Sequence, residues 1–202
     1  MGAFFSAFLQ DGAVFQAFLH GVLQSRGECA NFVSKKNMDI IERTKGHSPV
    51  RVLFVCLGNI CRSPAAQGVM QAIVDAENDA EGWVIDSAGT GGWHVGQLPD
   101  KRMRVHAARR GLTLDHICRQ VREADFDDFD IIVGMDAANV ADLRELAPSP
   151  EAQAKVVPMG RFITLATRHD HVPDPYYEGA EGFELVLDLL EDACRNLYDA
   201  LK

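Results

Sequence analysis

The chain has 202 residues, of which 47% are hydrophobic and 24% charged, and its formal net charge at pH 7 is -9. This composition is typical of a globular protein, and the negative charge argues against nucleic acid as a partner, which requires a basic surface. Its five cysteines are scattered without the spacing of a disulfide framework, which favours free thiols in a reducing, cytoplasmic compartment.

Residues 1–49 differ in pattern from the rest of the chain. Apolar residues recur at helical spacing up to about Leu23, which predicts an amphipathic helix, and a polar linker follows. The segment lacks the basic residues of a secretory signal, so neither a signal peptide nor a membrane span is expected. It is either a helix that binds a partner or a membrane surface, or upstream sequence translated ahead of a true start at Met38.

From Val50 onward, short apolar strands alternate with helices. The strands are predicted at 51–56, 83–86, 129–133 and 155–157, and the helices at 63–75, 100–110, 137–147 and 183–197. Because parallel strands are joined by helical crossovers, this alternation predicts an α/β fold, a three-layer sandwich with a central four-stranded parallel sheet and helices on both faces. The predicted domain organisation is therefore an extension over 1–49 and one α/β domain over 50–202.

The first predicted strand ends at Cys56, and a loop from there to Ser63 leads into a helix. Ligands of parallel sheets bind at the carboxyl ends of strands, and the N-terminus of a helix directs backbone N–H groups and positive potential at an anion. Gly58 permits a tight turn, and Arg62 can donate two hydrogen bonds to phosphate oxygens. The same potential favours the thiolate of Cys56, which would be positioned to attack a bound phosphate in line.

This loop resembles that of the low-molecular-weight protein tyrosine phosphatases, whose pattern is Cys-x5-Arg-Ser/Thr with an Asp-Pro pair far downstream. Cys56 to Ser63 matches the loop and Asp174-Pro175 matches the pair, and the likeness extends over Val50 to Lys202. The resemblance implies hydrolysis of phosphotyrosine in substrate proteins, and of small aryl phosphates, through a cysteinyl-phosphate intermediate and without a cofactor. The spacing of Cys56 and Cys61 is also wrong for a zinc site.

Attack at phosphorus expels a phenolate, a poor leaving group because its conjugate acid has a pKa of about 10. A carboxylic acid that protonates the bridging oxygen removes this obstacle. Asp174 is the candidate, because Pro173 and Pro175 hold it in an extended segment and because the resemblance assigns this role to the Asp-Pro pair. Without that match, an ordinary Asp-Pro turn would be an equal interpretation.

The resemblance assigns supporting roles to further residues. A hydrogen-bond network that braces the loop and the thiolate is expected from Asn59, Ser63, Ser87 and His116. The other loop residues expected around the phosphate are Leu57, Gly58, Ile60 and Cys61. Aromatic walls of the substrate crevice, which favour an aryl group, are expected from Trp93, Tyr176 and Tyr177. Cys61 either forms a reversible disulfide with Cys56 or is a small side chain packed under the loop.

Three alternatives use the same loop. Thioredoxin-coupled arsenate reduction needs a pair of resolving cysteines close together, whereas Cys118 and Cys194 stand far apart in the sequence. Phosphoarginine phosphatases of this kind carry threonine at the position of Ile60. A catalytically silent phosphate-binding adaptor is expected to lack the thiol or the acid, and this chain has both. The sequence does not indicate an oligomeric state.

Overall fold

Four parallel strands form the central sheet of this protein, whose computed structural model describes residues 40–165 and 169–202. In chain order the strands are β1 (Val50–Cys56), β2 (Trp83–Gly89), β3 (Ile131–Gly134) and β4 (Val156–Pro158). Their order across the sheet is β2-β1-β3-β4, and every neighbouring pair is parallel. The predicted four-stranded parallel sheet is confirmed.

Strand β1 lies in the middle of the sheet, and its residues are apolar on both faces. Val52 and Phe54 pack into one hydrophobic core, whereas Leu53 and Val55 pack into a second core on the opposite face. This division follows from the alternation of side chains along a strand. A strand covered on both sides requires a nearly continuous apolar run, and the strand delivers Cys56 to its carboxyl end.

Helices cover both faces of the sheet. In chain order they are α1 (Arg62–Ala76), α2 (Lys101–Arg109), α3 (Asp125–Asp128), α4 (Ala137–Leu146), α5 (Pro150–Ala154) and α6 (Ala180–Leu201). Helices α1, α2 and α6 contribute apolar residues to the first core, and α3, α4 and α5 contribute apolar residues to the second. The predicted three-layer sandwich is confirmed.

The structure contains short elements that the sequence pattern did not predict. Besides α3 and α5, two turns of 3-10 helix lie at Ala80–Gly82 and Met159–Phe162. Helix α5 begins with a proline after Ser149, whose hydroxyl accepts a hydrogen bond from the Ala152 backbone N–H at 3.1 Å, a regular N-cap. A single turn is too short to show a helical period, which is why periodicity did not reveal it.

Residues 40–49 pack against the α/β domain. Residues 40–44 are helical, Ile40 and Ile41 are buried in the first core, and the Gly46 N–H donates to the Leu201 carbonyl at 3.0 Å. The amphipathic helix predicted up to Leu23 and the alternative start at Met38 lie outside the described residues. Among the helices of the described region, none has both the length and the apolar character to cross a membrane.

Candidate active site

The loop between β1 and α1 is attached to neighbouring segments through its backbone carbonyls. The carbonyls of Cys56 and Leu57 accept hydrogen bonds from the N–H groups of Thr90 and Gly91, at 2.9 and 2.8 Å. Gly89 at the end of β2 lets this segment approach, because a Cβ atom there would lie 2.8 Å from the Leu57 carbonyl oxygen. Because these two carbonyls point toward the segment after β2, the N–H groups of the loop are left for a ligand.

Asn59 lies at the centre of a buried hydrogen-bond network beneath the loop. Its backbone has φ 55°, a left-handed conformation that asparagine tolerates better than most residues. The side-chain amide donates to the hydroxyls of Ser63 and Ser87, both at 2.9 Å. The amide oxygen accepts from His116 Nε2 and from the Arg119 backbone N–H, also at 2.9 Å. The structure thus brings together the four residues from which a bracing network was expected.

Ser63 connects this network to the sulfur of Cys56. Its hydroxyl oxygen lies 3.1 Å from Cys56 Sγ and 3.1 Å from the Ala88 carbonyl oxygen. The hydroxyl has a single hydrogen, and a thiolate can only accept. Whenever Cys56 is ionised, the Ser63 hydroxyl is therefore positioned to donate to the sulfur.

A second layer of polar residues holds the network in place, and four of them were not predicted from the sequence: Gln67, Asp86, Arg119 and Asp125. Ser87 donates to Gln67 Oε1 at 2.8 Å, and Arg119 bridges Asp86 at 2.8 Å and the fully buried Asp125 at 2.9 Å. Burial lowers the pKa of His116, so its imidazole is neutral at pH 7 and its Nε2–H donates to Asn59. These contacts orient the side chains of the network that surrounds Asn59.

Arg62, the first residue of α1, places its guanidinium among two carboxylates. It donates to Asp136 Oδ2 at 2.6 Å, to Asp174 Oδ2 at 3.1 Å and to the Val172 carbonyl at 3.3 Å. Burial disfavours its charge, but the nearby Cys56 sulfur and the two carboxylates outweigh this effect and raise the pKa of Arg62. The guanidinium is therefore a permanent cation.

Asp136 is a site residue that the sequence analysis missed. It is the N-cap of α4, where its Oδ1 accepts from the Asn139 backbone N–H at 2.8 Å, and its Oδ2 holds Arg62. The signal was available, because Asp136 follows the third strand and the carboxyl ends of parallel strands share one edge of the sheet.

Asp174 lies at the rim of the site. Its side chain is 44% exposed and faces Arg62, and its Oδ1 accepts from the Tyr176 N–H at 3.2 Å. The preceding Val172 is fully buried and donates its N–H to the Met135 carbonyl at 3.0 Å, which anchors the segment beside β3. The carboxylate therefore lies between the buried cation and the solvent at the opening of the site.

These residues surround an open cleft of about 250 Å³. Cys56 is 2% exposed and lies at its floor. The phosphate-loop residues that line it are Leu57, Gly58, Ile60, Cys61 and Arg62. The mouth is formed by Asp174 together with Trp93, Tyr176 and Tyr177, the three expected aromatic residues, and by His94, which was not expected. A cleft that is lined by a cation and has aromatic residues at its mouth suits an aryl phosphate.

Arg102 links the two loops that form the cleft. It pairs with Asp100 at 2.8 Å and donates to the Tyr176 carbonyl at 3.0 Å, while its guanidinium stacks 5.2 Å from the Tyr176 ring centroid. The Asp100 N–H in turn donates to the Ile60 carbonyl at 2.8 Å. This bridge arises from tertiary contacts, and no spacing in the sequence indicated it.

The neighbouring cysteines are held as thiols. The four cysteines of the described residues, Cys56, Cys61, Cys118 and Cys194, are all free. Burial raises the pKa of Cys61, and burial also raises the pKa of Cys118 to about 11, where its Sγ–H donates to the Asn59 carbonyl at 2.8 Å. The reversible disulfide between Cys56 and Cys61 stays a prediction.

Within 40–165 and 169–202, no group of three or more His, Cys, Asp or Glu side chains is arranged to hold a metal ion.

Replacing Asn59 with alanine is expected to lower both stability and turnover. The change removes four side-chain hydrogen bonds and places alanine at a positive φ, so we expect a loss of about 3 kcal/mol in the free energy of unfolding. Asn78 is a matched control, because it is exposed and has φ 54°. Urea denaturation and aryl-phosphate turnover of both variants should show a much larger effect at Asn59; equal effects would reduce its role to a turn residue.

Comparison with known proteins identifies the family to which this chain is similar. The family model described as low molecular weight phosphotyrosine protein phosphatase matches residues 51–202. The low molecular weight protein-tyrosine-phosphatase of Streptomyces coelicolor is 42% identical over 153 residues, covering 75% of this chain and 93% of that protein. The human low molecular weight phosphotyrosine protein phosphatase is 39% identical over 145 residues, covering 71% of this chain and 90% of that protein.

Solved structures agree with the sequence comparison. The crystal structure of a protein tyrosine phosphatase from Entamoeba histolytica, with Hepes in its active site, superposes with a TM-score of 0.71 at 45% identity and covers 74% of this chain and 95% of that one. The residues matched by the family model include the cysteine loop and the Asp-Pro segment. The chain therefore belongs to the low molecular weight phosphotyrosine protein phosphatase family.

Proposed function

We propose that the chain hydrolyses phosphotyrosine in proteins, and small aryl phosphates, with Cys56 as nucleophile, Arg62 as phosphate-binding cation and Asp174 as general acid. One observation carries the proposal: the cysteine sulfur lies at the floor of a cleft that the Arg62 guanidinium and the Asp174 carboxylate also line. Because the described cysteines are free thiols, we place this activity in a reducing compartment such as the cytoplasm.

In the first step the Cys56 thiolate attacks phosphorus, and the bond from phosphorus to the tyrosine oxygen breaks. Asp174 gives its proton to that oxygen, so tyrosine leaves as a neutral phenol. Arg62 and the backbone N–H groups of the loop bind the three remaining phosphate oxygens, whose charge is spread in the transition state. The product of this step is a phosphorylated Cys56.

In the second step water attacks the phosphorylated cysteine. Asp174, now a carboxylate, takes a proton from the water, and the bond between sulfur and phosphorus breaks to release inorganic phosphate. Ser63, 3.1 Å from the sulfur, donates a hydrogen bond to the departing thiolate. The thiolate and the protonated acid are thereby restored for the next turnover.

The residues of the cleft favour an aromatic substrate over the two alternative substrates, phosphoarginine and arsenate. Trp93 and Tyr176 line the mouth, where they can pack against a phenyl ring. One similar structure, 32% identical with a TM-score of 0.68, is described as a Drosophila arginine phosphatase, but Ile60 lies in this cleft where threonine is expected for that activity. For arsenate reduction, Cys118 and Cys194 are both buried, and no exposed resolving pair exists among the described cysteines.

The test is turnover of three substrates by the purified chain: a phosphotyrosyl peptide, the matching phosphoseryl peptide and a phosphoarginine peptide. We expect kcat/KM for the phosphotyrosyl peptide to exceed the other two values by at least about 100-fold. The phosphoseryl and phosphoarginine peptides have no aryl group at the phosphate for the aromatic rings at the mouth to contact. Faster turnover of phosphoarginine would contradict the proposed substrate, and no turnover of any peptide would favour the silent adaptor.

Replacing Asp174 with alanine is expected to lower kcat for phosphotyrosine by about 100- to 1000-fold. An aryl phosphate with an acidic leaving group, such as a dinitrophenyl phosphate, needs no proton and should lose much less. Steady-state kinetics across a series of aryl phosphates measures this dependence. Asp170, exposed and outside the cleft, supplies the control variant Asp170→Ala. A uniform loss across all leaving groups would exclude Asp174 as the acid.

A further inference from the structure

A second groove lies beside the phosphotyrosine cleft. Leu57 and Trp93 line both spaces and form the wall between them. The groove has a volume of about 320 Å³. Its remaining walls include Gln120, Val121, Asp142 and Leu146, none of which takes part in the mechanism above.

The wall between the two spaces contacts the segment that follows β2. Trp93 is 71% exposed, yet its ring lies directly over Gly91, where a Cβ atom would overlap the ring. The Gly91 N–H donates to the Leu57 carbonyl at 2.8 Å, and Gln120 Nε2 donates to the Thr90 carbonyl at 3.0 Å. The lining of the groove is therefore hydrogen-bonded to the loop that carries Cys56.

The lining of the groove selects one kind of side chain. Leu57 and Leu146 are 44% and 38% exposed, and apolar side chains exposed around a concave surface gain free energy when a ligand covers them. Asp142 is an exposed carboxylate at the same groove, and like charges repel. The lining thus favours an aliphatic side chain and disfavours an acidic one.

We propose that this groove binds an aliphatic side chain, such as leucine, isoleucine or methionine, that flanks the phosphotyrosine of a substrate protein. The inference rests on the proposed function. When the phosphotyrosine ring lies in the cleft against Trp93, the peptide backbone emerges at the mouth. A flanking side chain then needs only to cross the shared wall of Leu57 and Trp93 to enter the groove, so one substrate segment occupies both spaces.

The test compares phosphotyrosyl peptides that are identical except for leucine or aspartate, placed in turn at each of the three positions on either side of the phosphotyrosine. We expect one position at which kcat/KM for the leucine peptide exceeds that for the aspartate peptide by about tenfold. Equal kcat/KM values at every position would overturn the inference while leaving the proposed function intact. No turnover of any peptide, or of a small aryl phosphate, would instead remove the proposed function.

Substitutions in the groove test whether it produces the leucine preference. Leu146→Glu should abolish the leucine preference, and Asp142→Lys should raise kcat/KM for the aspartate peptide. The control is Val105→Glu on α2, since Val105 is 43% exposed and lines neither space, and this variant should retain the preference. A tenfold preference that persists unchanged in both groove variants would show that another surface produces it and would overturn the assignment.

Discussion

Replacing Cys56 with serine is expected to lower kcat for aryl-phosphate hydrolysis by at least about 10⁴-fold, as the loss of a covalent nucleophile does in other enzymes. A serine hydroxyl is not ionised at neutral pH, so the variant lacks the anionic nucleophile. The loop and Arg62 remain in place, so the variant should still bind phosphate. Mass spectrometry after acid quench should detect a phosphorylated cysteine in the wild type and none in the variant.

The control for Cys56 is Cys194→Ala. Cys194 is a fully buried thiol of α6 that does not line the cleft, so its loss should lower stability while kcat stays within a few-fold of the wild-type value. Similar turnover by the Cys56 and Cys194 variants would exclude a thiolate mechanism.

The second large effect is expected at Arg62. Arg62→Lys keeps a positive charge but cannot form the planar pair of hydrogen bonds that the guanidinium makes. We expect kcat/KM to fall by about 10³-fold, since several hydrogen bonds to the transition-state oxygens are lost. Inhibition by inorganic phosphate, measured as its inhibition constant, should weaken in parallel.

Arg62→Lys should also lower the free energy of unfolding. Asp136 and the Val172 carbonyl lose a buried partner, and an unpaired buried acceptor costs about 1–3 kcal/mol. Arg104→Lys on the exposed face of α2 is the matched control and should change neither quantity. If phosphate inhibits Arg62→Lys as strongly as the wild type, Arg62 is not the phosphate-binding cation.

The sheet was predictable because alternating strands and helices admit few arrangements. Apolar runs such as 51–56 identified the strands, and a proline near the start of α1 and the glycine after α2 identified helix ends. The helical residues 40–44 escaped notice because Ile40 and Ile41 are two apolar residues in a polar stretch, too few to show a period. Their burial depends on contacts with the rest of the core, which no local pattern records.

Residues of the candidate site could be predicted where they lie close together in the sequence. Cys56 and Arg62 share a loop whose spacing allows both to face one anion, and the Asp174-Pro175 pair matched the family pattern. Asp136 was missed although it follows the third strand, because its partner Arg62, 2.6 Å away, is far from it in the sequence. Arg102 gave no sequence signal, since its role depends on a contact with the distant Tyr176 carbonyl at 3.0 Å.

In the proposed mechanism, the phosphate of the substrate and the carboxylate of Asp174, 3.1 Å from Arg62, bind the same guanidinium. An incoming phosphate dianion competes with the carboxylate for the same guanidinium. A substrate that draws Arg62 onto its phosphate thereby releases Asp174 toward the tyrosine oxygen, the atom that the proposed mechanism has it protonate. Release of inorganic phosphate then lets the carboxylate pair with the arginine again, so the same ion pair opens and closes once in each turnover.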